Sequence, residues 1–159
     1  MRSCPLLITG LTLIVWRTQA KILTQCEAAE ALIKGNISRT FISNFVCVMQ
    51  NESGLDTRKI TGPKAQSSFS YGVFQINSAK WCTRGRVGGI CNQKCENFAD
   101  DDIQDDVKCA KKIQEMEGFK HWEGWMKKCK NKPLPNISGC KRRKRSVGES
   151  APGKVSCAN

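Results

Sequence analysis

Histidine is almost missing from these 159 residues, and His121 is the only one. Zinc sites built from closely spaced cysteine pairs with histidine therefore have little to draw on, and Cys91-x3-Cys95 is a poor metal motif. Beyond the first twenty residues, long apolar runs are missing too. No later segment approaches the ~18 consecutive apolar residues that a membrane span requires. Acidic side chains are the minority, 14 against 26 lysines and arginines, giving a net charge of +12. Any recognisable nucleic-acid reading motif is also absent, so nucleic acid is not an expected partner, and no cofactor is expected.

What is present begins with "MRSCPLLITGLTLIVWRTQA", residues 1–20. Arg2 gives a positive start, Pro5 to Trp16 is largely apolar, and Thr18-Gln19-Ala20 offers small residues for cleavage. This reads as a secretory signal, too short and too soon interrupted by Arg17 to span a bilayer. The mature chain is expected to begin near Lys21 and to be secreted, extracellular and free of membrane spans.

Export changes how the ten cysteines read. Cys4 leaves with the signal. Cys26, Cys47, Cys82, Cys91, Cys95, Cys109, Cys129 and Cys140 form an even set suited to four disulfides in an oxidising compartment. Each bridge typically contributes ~2–4 kcal/mol. Cys157 is left over: a monomer is expected, with Cys157 either lost with the tail or offering an intermolecular disulfide.

Residues 21–140 carry 18 basic and 13 acidic side chains, and residues 141–159 carry six and one. A basic exported domain is drawn to anionic surfaces such as bacterial walls, although solubility alone accounts for the charge equally well. The last segment, "KRRKRSVGESAPGKVSCAN", is basic and then Gly/Pro/Ser-rich, and reads as a disordered tail. Its "RRKR" resembles a furin-type processing signal, so removal and retention of the tail both stand as readings.

Between signal and tail the pattern is helix, sheet, helix. "TQCEAAEALIKG" has Thr24 and Glu27 spaced as a capping box and stops at Gly35. "FISNFVCVMQNESG" spaces Phe41, Phe45, Val48 and Met49 at helical intervals. "DDDIQDDVKCAKKIQEMEG" places acids first and lysines later, which complements a helix dipole. It lacks the alternating acids, central Gly and final Glu of an EF-hand, so it reads as a helix start. A short fourth helix is expected in "HWEGWMKKC". Residues 55–95 are glycine-rich, contain Pro63 and carry short β-prone pieces such as "SYGVF", which predicts a small sheet with loops. The predicted class is α+β, with a groove between a helical lobe and a small antiparallel sheet lobe as the natural ligand site.

Glu52 ends the second helix. A carboxyl held against apolar and aromatic neighbours has its charged form disfavoured and can serve as a general acid. "YGVFQINS" supplies the amides of Gln75 and Asn77, and Trp81 offers a flat face for a sugar ring. With "NES" around Glu52, "CAKKI" from Cys109 and "HWEGW" from His121, the order of eight cysteines completes a pattern that resembles the c-type (chicken-type) lysozymes over residues 21–140.

The resemblance implies bridges Cys26–Cys140, Cys47–Cys129, Cys82–Cys95 and Cys91–Cys109. It implies that Glu52 is the general acid of a glycoside hydrolase, with Trp122 packed beside it. Gln75, Asn77, Trp81, Trp122 and His121 would line the sugar subsites, and the ligand would be peptidoglycan or a chitin-like oligosaccharide. Two departures matter. Lys80 stands where one of two adjacent tryptophans is expected, and Ser70 stands where the family has its second carboxylate. Retaining enzymes use two carboxyls ~5–5.5 Å apart, lysozyme being the type case of that scheme. A serine hydroxyl is neutral and a poor nucleophile without a base, and "SFSYG" contains none. The resemblance therefore implies glycan binding with weak hydrolysis through Glu52, or a non-catalytic glycan-binding or cell-surface protein. The family's calcium-binding branch is set aside, and no metal site is expected. Of three Asn-x-Ser sequons, at Asn36, Asn51 and Asn136, the one at Asn51 is expected to be silent or lightly used, because a glycan beside Glu52 would obstruct the fold or the cleft.

Overall fold

A computed structural model describes residues 21–140. Residues 1–20, read above as a signal, and residues 141–159, with the RRKR sequence and Cys157, lie outside the described residues.

Helix α1, Gln25–Lys34, starts on the expected capping box. The Glu27 N–H donates to Thr24 Oγ1 at 3.2 Å, and the Thr24 N–H donates to Glu27 Oε2 at 2.9 Å. Its inner face buries Ala28, Ala29 and Leu32. Helix α2, Arg39–Glu52, buries Ile42, Phe45, Val46, Val48 and Met49, so the i, i+3, i+4 spacing read from the sequence faces the core. It ends where Gly54 turns left-handed, with φ +73°.

Three two-residue strands follow: β1 Ile60–Thr61, β2 Ser70–Tyr71 and β3 Ile76–Asn77. They pair antiparallel in the order β1-β2-β3, and the register sets Thr61, Ser70 and Asn77 side by side across the sheet. Helix α3, Gln104–Glu117, begins later than the acidic run: Asp105 and Asp106 fall in its first turn, and Asp100–Asp102 precede it. Helix α4, Glu123–Lys128, is short and follows a single 3₁₀ turn at Phe119–His121.

Phe45 ties the helical lobe together. Its ring meets Phe119 at 4.9 Å and Phe74 and Trp122 at 6.0 Å each, all edge-on, the arrangement that aromatic quadrupoles favour. Phe74 comes from the turn between β2 and β3, so this cluster also anchors the sheet lobe. The predicted α+β class is what the molecule shows, and the four bridges Cys26–Cys140, Cys47–Cys129, Cys82–Cys95 and Cys91–Cys109 are all formed. Among the described residues no helix is long and apolar enough to cross a membrane.

All three sequon asparagines, Asn36, Asn51 and Asn136, are exposed. At Asn51 the side-chain amide donates to the Cys47 carbonyl at 2.8 Å, and the buried Ser53 hydroxyl donates to the Met49 carbonyl at 2.9 Å.

Candidate active site

Glu52, half-buried at the end of α2, is fixed from two directions. Its Oε1 accepts the Gly124 N–H from the first turn of α4 at 2.7 Å. Its backbone carbonyl accepts the Lys59 ammonium at 3.0 Å. Lys59 in turn lends its own carbonyl to the Gln75 amide at 3.0 Å and to the Gly72 N–H at 2.9 Å. One residue thus joins the acid's helix to the turn beyond Ser70.

Ser70 is 1% exposed, and its hydroxyl oxygen accepts the Asn77 side-chain amide at 3.1 Å. Asn77, half-buried, also reaches the Ser68 hydroxyl at 3.4 Å, and its carbonyl oxygen accepts the Ala79 N–H at 2.8 Å. Asp56, the nearest acid after Glu52, has Oδ1 turned to the Arg58 N–H at 2.9 Å.

Two expectations need correction. Gln75 was expected to present its amide to a sugar, but it is buried, with a left-handed backbone at φ +53°. Its amide donates to the carbonyls of Lys59 and Gly72, and its oxygen accepts the Thr61 hydroxyl at 2.6 Å. With donors and acceptor committed, Gln75 is a scaffold for the β2–β3 turn. Trp81 was expected to offer a flat stacking face, yet it is 1% exposed. Lys80 lies over its ring at 4.8 Å and His121 stands edge-on to it at 5.5 Å. Trp122 is likewise buried, and its indole N–H donates to the Phe74 carbonyl at 3.0 Å, a bond from the helical lobe to the sheet lobe. His121 is half-buried, with Nδ1 2.6 Å from Glu117 Oε2.

The fold that carries Glu52 and Ser70 has known counterparts. Residues 21–140 match the family model described as C-type lysozyme/alpha-lactalbumin family. The chain belongs to this family. Its relatives include lysozyme c-1 of Anopheles gambiae, 42% identical over 122 residues that cover 77% of this chain and 86% of that protein. The lysozyme of Galleria mellonella is 39% identical over 121 residues, covering 76% of this chain and all of that protein. Among solved structures, the crystal structure of the Equus asinus lysozyme superposes with a TM-score of 0.65 at 34% identity, covering 74% of this chain and 94% of that one.

Several residues that hold the site in this family member gave little sign of it in the sequence. Gly124 is one: a Cβ there would lie 2.7 Å from Glu52 Oε1 and 3.0 Å from the Asn51 carbonyl oxygen, so only glycine lets the N–H reach the acid. Gly124→Ala is expected to push the Glu52 carboxylate off this N–H and to lower Glu52-dependent glycan cleavage by ~10–10²-fold, since small misplacements of a reacting group are that damaging. Wall lysis compared with the parent protein checks this, and an unchanged rate contradicts it. Lys59, Thr61 and Ser68 carried no signal, because their partners lie across irregular backbone.

Asp106 is the residue that fits its surroundings worst. It is 1% exposed, and neither carboxylate oxygen has a hydrogen-bond partner. Burial, and then the neighbouring charge of Asp105, push its carboxyl well above the usual range. Asp105 itself is raised by burial, with Asp100 and Asp102 adding repulsion. A signal was present: Asp106, Val107, Ala110 and Ile113 lie on the buried stripe of α3, so an acid at 106 points inward. Its oxygen lies against the Gly72 turn, where a Cβ would sit 2.5 Å from Oδ1 and 1.8 Å from the Phe98 carbonyl oxygen. The acidic run is the helix start its sequence implies, with Asp105 and Asp106 in the first turn of α3. Among the described residues, no three carboxylate, histidine or cysteine side chains converge as a ligand set.

The sign of the pH dependence follows. A carboxyl raised in the folded state penalises folding once ionised, so stability falls as pH rises from the ordinary carboxylate range through the raised value. Asp106→Asn is expected to stabilise the protein at neutral pH and to flatten that fall, as measured by thermal melts across pH.

Proposed function

We propose that the protein is a secreted, lysozyme-like binder of β-1,4-linked N-acetylhexosamine polymers, such as bacterial peptidoglycan or chitin-like oligosaccharides. Its hydrolysis through Glu52 is weak because Ser70 occupies the place of the partner carboxylate. The observation that carries this reading is the setting of Ser70: buried on β2, with its oxygen taken by the Asn77 amide and no base on its sheet neighbours Thr61 and Asn77. Glu52 keeps a fixed place at the end of α2. Its Oε1 accepts the Gly124 N–H, which leaves Oε2 as the oxygen to serve a glycosidic bond. What is lost is the negative charge that would stabilise the developing oxocarbenium ion or attack it. A water held by Ser70 attacks slowly at best. The basic surface favours the anionic bacterial wall as the place of action.

Calorimetric titration with N-acetylglucosamine oligomers, alongside wall-lysis assays, tests the reading. Binding is expected in both the natural protein and Glu52→Gln, with slow lysis in the first and none in the second. Brisk lysis by the natural protein that Glu52→Gln abolishes would show that Ser70 is no obstacle. The alternative is a non-catalytic glycan-binding or cell-surface role on the same groove, distinguished by complete absence of Glu52-dependent cleavage.

A further inference from the structure

A cluster of charged side chains beside the Glu52–Ser70 site joins the two lobes. Lys80, in the sheet lobe three residues beyond β3, pairs its ammonium with Glu117 Oε1 at the end of α3. Glu117 offers its other oxygen to His121 Nδ1, in the 3₁₀ turn before α4. Lys80 and, to a smaller degree, His121 hold the Glu117 carboxyl below the usual range, against a contribution from burial that raises it. Together these residues cover Trp81: the Lys80 ammonium lies over its ring, and the His121 ring is perpendicular to it.

The position of this cover gives it consequence. Asn77, which holds Ser70, is three residues before Lys80, and His121 is three residues before Gly124, whose N–H holds Glu52. The cover also differs from ordinary core packing. Other large side chains of the core cluster, such as Phe45 and Phe74, meet aromatic neighbours, whereas Trp81, also in that cluster, meets the Lys80 ammonium and the His121 ring, which Glu117 links. Those three side chains keep 47%, 29% and 19% of their surface exposed for Lys80, Glu117 and His121. Ion pairs with that much water contact are individually weak and salt-screened, so they open readily. The aromatic ring beneath is the kind of face on which a pyranose stacks.

We infer that Lys80, Glu117 and His121 form a clasp that closes the groove over Trp81 and sets which glycans the protein accepts. A long oligosaccharide must displace the clasp to reach the Trp81 ring. A short one fits between Glu52 and the β2–β3 turn with the clasp closed. These three residues are therefore specificity-determining, and they favour short chains over long ones. This inference rests on the glycan-groove reading above.

Two readouts on Glu117→Gln, with Lys80→Met as a second variant, test it. The first needs no ligand: hydrogen exchange of the Trp81 indole N–H, followed by NMR. The second is the ratio of affinities for the N-acetylglucosamine hexamer and dimer. Both variants are expected to speed Trp81 exchange and to raise the hexamer-to-dimer ratio by ~3–5-fold, the scale of one exposed ion pair. Unchanged exchange and an unchanged ratio, with oligomers bound, would overturn the clasp alone. Faster exchange with no oligomer bound by any of the proteins would mean that the glycan reading has failed, and the selectivity with it.

Discussion

Ser70→Asp is expected to raise the rate of wall lysis ~10²–10³-fold over the natural protein, the effect of restoring one preorganised electrostatic group, worth ~3–4 kcal/mol. The site is prepared for the change. The Asn77 amide that now donates to the Ser70 hydroxyl at 3.1 Å would donate to the new carboxylate, and a charge-assisted bond is stronger than a neutral one. Burial opposes ionisation at a position 1% exposed, so the gain depends on that donor. Ser70→Asn, which adds similar bulk without charge, should gain nothing. Ser70→Asp combined with Glu52→Gln should fall back to background, because the carboxylate has no use without the acid. A folded Ser70→Asp protein with no gain in lysis would place the loss elsewhere in the groove.

The second large effect concerns the Cys47–Cys129 bridge. It spans 82 residues, so replacing both cysteines with alanine should cost ~4–5 kcal/mol in the chain-entropy treatment and lower the melting temperature by roughly 15–25 °C. Removing Cys82–Cys95, which spans 13, should cost ~3 kcal/mol on the same treatment. The longer bridge also sits five residues before Glu52 on one side and five after Gly124 on the other. Its loss should therefore weaken Glu52-dependent chemistry as well as stability, whereas loss of Cys82–Cys95 should spare the Gly124–Glu52 bond. Calorimetric melts of the two double mutants decide it, and a drop below about 5 °C for the Cys47–Cys129 pair contradicts this weighting.

Local grammar was legible where local interactions decide structure. Thr24 and Glu27 announced the start of α1 because both halves of a capping box lie within four residues. The α+β class followed from the helix–sheet–helix pattern and the bridge pairing from the resemblance, and both are present in the molecule. Roles set by distant neighbours were not legible. Gln75 looked like a sugar ligand, but its left-handed backbone turns the amide onto Lys59, sixteen residues away. Trp81 looked like an open face, and nothing in "AKWC" says that Lys80 would reach Glu117, 37 residues on, and lie across the ring. Asp106 was readable in principle from the buried stripe of α3, but its neighbouring acids made it look like a charge placed for the helix dipole.

The most direct test of the central claim is a single NMR titration of the natural protein with N-acetylglucosamine hexamer, followed in the same tube over days. The expected result is amide shifts concentrated at residues 70–78 and 122–124, with the oligomer remaining largely intact. Rapid cleavage of the hexamer, or shifts that leave both segments untouched, would contradict a sugar groove that has kept its acid and lost its partner.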